Sequence, residues 1–120
     1  MNKLFIVLLV FFSMLPEARA AQFSGKYLLS MCAQDEKGKE VTPGGHIACQ
    51  AYIAGILDYH ALIKSMGTAP GIDFCVPENA PMNAIHDKVQ AYIMRNRQQH
   101  NSFIAAPGVA LGLYNAFPCK

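Results

Sequence analysis

Several structural signals are missing from this 120-residue chain, and each absence removes a class of protein. No stretch alternates apolar and polar residues over a strand's length, which argues against a sheet. No internal repeat or low-complexity tract occurs, so solenoids and repeat arrays drop out. There is no Cys-x-x-Cys pair and the four histidines are scattered. Zinc therefore lacks its usual ligand spacing, and no metal is expected. The Cys-x-x-Cys-His of attached haem is missing too, and nothing else calls for a cofactor. No Gly-x-Ser-x-Gly elbow presents a nucleophilic serine.

An excess of one charge is also lacking. With residues 1–20 set aside, eight Lys/Arg stand against seven Asp/Glu. That balance gives no electrostatic case for nucleic acid or an anionic membrane surface.

What is present starts with a leader. Met1-Asn2-Lys3 is short and basic, Leu4 to Leu15 is apolar except for Ser13, and Ala18-Arg19-Ala20 fits a small-residue cleavage site. An apolar run of roughly 12 residues falls short of the ~20 that span a bilayer. Residues 1–20 are therefore expected to be a cleaved signal peptide, and residues 21–120 a single exported domain with no membrane segment after cleavage.

Four cysteines remain: Cys32, Cys49, Cys75 and Cys119. An even number in a small exported domain predicts two disulfides. The spacing of apolar residues predicts an all-α fold, a small bundle of about four main helices. The first ends near Cys32. The second runs from about His46 to Met66 and is apolar nearly all round, so it is either central or buried against a partner, which raises the expectation of a homodimer. The third spans about Asn79 to Arg97. Its stripe is Met82, Ile85, Val89, Tyr92 and Ile93, with His86, Asp87, Lys88 and Gln90 toward water. "NRQQHNS" is a polar break. The last helix runs from about Phe103 to Phe117, with Pro107 within its opening turns. Its Gly108, Gly112 and Ala116 recur every four residues, a smooth face for close packing.

Helix order suggests the sulfur pairing. If the last two helices form an antiparallel hairpin, their outer ends bring Cys75 to Cys119. Cys32 ends one helix and Cys49 begins the next, so the same logic joins those two.

A catalytic site is not evident. Paired sulfur is not nucleophilic, and Asp58 and His60, at i and i+2 on a helix, point apart. No enzyme is expected. Asp58 lies among Ile56, Leu57, Tyr59 and Leu62, so a buried structural carboxylate is expected there, hydrogen-bonded to another helix or a tyrosine. His86 and His100 are expected at the surface.

An ordered set of short motifs runs along the mature chain. Cys49, Tyr52, Ile53, Gly55 and Asp58 form the first. Phe74, Cys75 and Pro77 form the second, Val89, Tyr92 and Ile93 the third, and Phe117-Pro118-Cys119 the last. In this order and spacing the chain resembles the Tai/Rap immunity proteins of bacterial type VI secretion. It departs from the pattern at Pro107, which lies later than the Pro-Ala pair expected to open the last helix. The resemblance implies a periplasmic, helical, often dimeric protein without a cofactor. It would block the groove of a cognate peptidoglycan amidase effector of the Tae type by inserting a protruding loop. Three segments are candidates: Asp35–Gly45, Ser65–Asn79 and Arg95–Ser102. The middle one is favoured, with Gly67, Thr68, Asp73, Glu78 and Asn79 as the expected contact residues. The alternative is a small periplasmic helical chaperone or stress protein.

Overall fold

A computed structural model describes residues 23–120; the leader expected at residues 1–20 lies outside them. Five helices and no strand occur among the described residues: α1 (Gly25–Cys32), α2 (Gly45–Ser65), α3 (Met82–Arg95), α4 (Arg97–His100) and α5 (Ala105–Ala116). Isolated bridge pairs, such as Ser24 with Ile104 and Phe74 with Pro118, tie connections together without forming a sheet.

Local chemistry sets the helix boundaries. Ser24 caps α1 by accepting the Tyr27 N–H at 3.1 Å. At the start of α2, Gly44 takes a left-handed φ of 73°. The free N–H groups there are met by the Glu40 carboxylate, which accepts from Gly44 N at 3.0 Å and His46 N at 3.2 Å. At the far end of α2, Gly67 is left-handed (φ 74°). Gly67 N donates to the Lys64 carbonyl and Thr68 N to that of Ile63. This paired closure satisfies carbonyls the helix leaves open. Helix α3 starts at Met82, three residues later than the spacing predicts. Pro81 occupies its N-cap, and the residue before a proline is disfavoured in helical geometry. Pro107 lies in the first turn of α5, where its missing N–H costs nothing.

The core gathers Leu28 of α1, Ile53 of α2, Ile85, Val89 and Ile93 of α3, and Val109 and Leu113 of α5. Full burial of such a side chain contributes roughly 1.5–3 kcal/mol. The predicted stripe of α3 therefore faces inward. The smooth face of α5 also packs as its glycines suggest. A Cβ on Gly112 would sit 3.4 Å from the Val89 Cα, and one on Gly108 3.2 Å from the His100 ring.

Both expected disulfides are present, Cys32–Cys49 and Cys75–Cys119. They close stretches of 17 and 44 residues, worth roughly 3 and 4 kcal/mol in the chain-entropy model.

Three expectations are overturned. His86 and His100 are buried, at 1% and 7% exposure, not on the surface. His86 turns toward α1, where its Nε2 donates to the Cys32 carbonyl at 3.0 Å. That carbonyl belongs to the last turn of α1 and would otherwise lack a partner. His100 closes the single turn α4, which stands where an irregular break is predicted, and its ring fills the space that Gly108 leaves open. Asp58 is exposed, not buried. It lies on the outward side of α2, beside Ile47, Leu62 and Met66, which are 77%, 53% and 71% exposed. The helix that is apolar all round is thus not enclosed by the other described residues.

Gly25 packs against the His100 carbonyl, leaving no room for a Cβ, whereas Gly55 on α2 has open space around it. Gly25→Ala is expected to destabilise the fold by about 1–3 kcal/mol through overpacking. Gly55→Ala should raise monomer stability by about 0.5–1 kcal/mol through helix propensity. Thermal unfolding at dilute concentration checks both.

Candidate functional site

The connection from α2 to α3, Met66 through Pro81, is irregular in backbone yet fixed at several points. The closure at Gly67 sets its departure from α2. Asp73 then returns to that helix. His60 Nε2 donates to Asp73 Oδ1 at 2.9 Å, and Lys64 Nζ donates to the same oxygen at 3.2 Å. His60 and Lys64 are four residues apart on α2, so one turn places both on the side that faces the loop.

The next two residues anchor the connection more deeply. Phe74 is buried, and its ring stacks on that of His60 with centroids 3.8 Å apart. Cys75 N donates to the Phe117 carbonyl at 2.8 Å, and the Cys75–Cys119 bridge ties the same point to the segment after α5. Phe117 also lies beneath the Lys88 ammonium, 5.9 Å from the ring centre. An open groove runs between α2 and the loop, walled by Leu57, His60, Ala61 and Lys64 on one side and by Phe74, Cys75 and Val76 on the other.

Charge at the clamp follows from these contacts. Partial burial alone pushes the Asp73 carboxyl upward, but the hydrogen bonds from Lys64 and His60 and their positive charge outweigh it, leaving the group below its ordinary 3.8. Asp73 and Lys64 are both more than 40% exposed, so water screens the pair and it adds little to stability. The clamp sets geometry more than it adds stability.

The five residues expected to meet a partner all fall on this connection. Gly67, Thr68, Glu78 and Asn79 are exposed, and Asp73 is half-exposed within the clamp. Sequence reasoning named Phe74 and Cys75 as a motif beside these residues but missed His60 and Lys64 as their supports. The four-residue spacing of His60 and Lys64 was the available signal. His60 and Asp73 form an imidazole–carboxylate pair, but the thiols that a nucleophile would need are all in disulfides. The arrangement is suited to presenting a shape.

The two other candidate segments are also ordered. In Asp35–Gly45, Asp35 Oδ1 accepts from Lys37 N and Lys39 N at 2.8 and 2.9 Å, Gly38 turns the chain with φ 75°, and Glu40 closes onto α2. In Arg95–Ser102, the turn α4 is held by Lys26 N donating to the Asn101 carbonyl at 3.2 Å.

With this geometry in place, the comparisons with known proteins are direct. A family model described as Rap1a immunity proteins matches residues 24–119. No curated protein matches the chain.

The Asp73 and Glu40 carboxylates both titrate below their ordinary values, Glu40 because of the Gly44 and His46 backbone N–H groups. A group depressed in the folded state adds stability above its unfolded value, which is lost as pH falls through the folded one. The stability of the wild type should therefore drop below about pH 4.5 for Glu40 and 3.8 for Asp73. Asp73→Asn and Glu40→Gln should each flatten that slope, as read from denaturant midpoints between neutral and acid pH.

Proposed function

The chain belongs to the Rap1a immunity protein family, and on that basis we propose that it is a periplasmic antidote to a peptidoglycan amidase effector delivered by type VI secretion. Membership implies an immunity protein that binds a secreted effector as a non-catalytic inhibitor. The two disulfides and the family together point to an exported protein. The finer reading is that the mature domain, residues 21–120, enters the periplasm behind a cleaved leader and seals the active-site groove of a Tae-type amidase.

The observation that carries this reading is the anchored α2–α3 connection. A plug gains affinity when its bound shape is already set, because little conformational entropy remains to be lost on docking. Gly67, Asp73 and Cys75 fix the loop at three points. Thr68, Glu78 and Asn79 stand clear of the domain and supply polar contacts at its edge.

The same reading makes the chain a homodimer through α2. Ile47, Ala51, Gly55, Leu62 and Met66 form one exposed face along most of that helix. Small residues at its middle let two such helices approach closely, and the apolar side chains on either side of the exposed Asp58 carboxylate favour a partner over water.

Co-purification with an amidase effector, followed by a peptidoglycan-cleavage assay, tests the main claim. Inhibition should be stoichiometric. Glu78→Arg is the cleaner probe, since Asp73 also serves the clamp. Glu78→Arg and Asp73→Arg should each weaken effector binding about tenfold or more, roughly 1.4 kcal/mol, with the melting temperature little changed. Unaltered affinity in both would move the contact to another loop. Leu62→Glu should convert a dimer to a folded monomer in sedimentation equilibrium.

A further inference from the structure

The buried Cys32–Cys49 bridge lies beside buried His86, which in turn packs on the partly buried His46, and the immunity role uses neither histidine. Cys32, Cys49 and His86 are all buried, and one donor atom from each falls within 4.8 Å of the others. With His86 Nε2 engaged by the Cys32 carbonyl, Nδ1 is the ring nitrogen left for a metal. A metal-bound ring normally donates its second N–H to a carbonyl or carboxylate, and the Cys32 carbonyl accepts from His86 at 3.0 Å. Edge-on to the His86 ring, with centroids 5.0 Å apart, lies His46. Its Nε2 is buried without a hydrogen-bond partner, and an orphaned buried nitrogen calls for an explanation.

We propose that the dithiol form of this chain, before the Cys32–Cys49 bond has closed, binds one Zn2+ through Cys32, Cys49 and His86. Two thiolates, an imidazole and one water make a four-coordinate set that suits zinc. The metal-bound water supplies a polar neighbour for the vacant His46 nitrogen. Binding displaces one proton from each thiol, so it strengthens as pH rises. Metal and disulfide exclude each other. Closure in the zinc-loaded chain takes a disulfide oxidant, whose own bond is reduced to two thiolates as the Cys32–Cys49 bond forms and Zn2+ leaves. The site spans the junction of α1, α2 and α3, so zinc would hold those helices in register as the sulfur bond later does.

The test uses the full chain with Co2+ as a spectroscopic probe, displaced afterwards by Zn2+. A phosphine reductant opens each disulfide to two thiols and takes the oxygen of one water. The reduced chain should then develop thiolate-to-cobalt charge-transfer and tetrahedral ligand-field bands that saturate at one equivalent. The oxidised chain should show neither. Removing the other pair, Cys75→Ser with Cys119→Ser, should leave the bands in place, while Cys32→Ser with Cys49→Ser should abolish them. His86→Gln removes a direct ligand and should weaken zinc by more than the roughly tenfold that loss of an outer-shell partner costs, in competition with a chromophoric chelator. Circular dichroism should show zinc restoring helix to the reduced chain. The proposal is overturned if the reduced chain gives no tetrahedral cobalt spectrum. It is also overturned if His86→Gln binds zinc as tightly as the parent, or if helicity does not respond to zinc, since loose thiols of an unfolded chain would then account for the metal.

Discussion

The constraint on which the rest depends is the buried sulfur link between the end of α1 and the start of α2. Eight residues are too few for a helix to persist alone in water. The link holds α1 against α2, and that pair supplies one wall of the core. The same junction places the Cys32 carbonyl where His86 can reach it, which brings α3 into register. The polar stretch between these two cysteines is therefore organised at both ends, and Glu40 within it closes the first turn of α2.

The second link plays a different part. Cys75 is exposed, and its bond secures a loop instead of a core. Phe74 beside it is buried, and stacks on His60. A hydrophobic anchor, an ion-paired carboxylate and a covalent tie thus converge on three consecutive residues, Asp73 to Cys75. That convergence gives an irregular backbone the fixed form an inhibitor needs, without a strand or helix to carry it.

Much of this was legible beforehand, for reasons that can be stated residue by residue. Ile85, Val89 and Ile93 recur at helical spacing, and helical spacing alone turns them to one side. Gly108 and Gly112 lack side chains, so a close approach is the economical account of both. The sulfur pairing followed from helix order because a hairpin can join only ends that meet. Burial of single polar residues was not legible. Whether His86 or Asp58 meets water depends on where neighbouring helices cross, which local spacing does not encode. His86 went inward because an open carbonyl on another helix needed a donor. Asp58 stayed outside because α2 offers one whole face to no neighbour among the described residues. The clamp at Asp73 escaped notice for the same reason, since its partners lie 9 and 13 residues earlier in the chain.

The two sulfur bonds are nested in neither direction: the first is complete before the second begins. A chain threaded through a membrane from its amino end would present its four thiols in the order in which they must couple. An oxidant that joins each newly arrived cysteine to the one waiting makes both native bonds at the first attempt. No reshuffling step is then required, and the slow isomerisation that governs maturation of interlocked cystine frameworks has no counterpart in this topology.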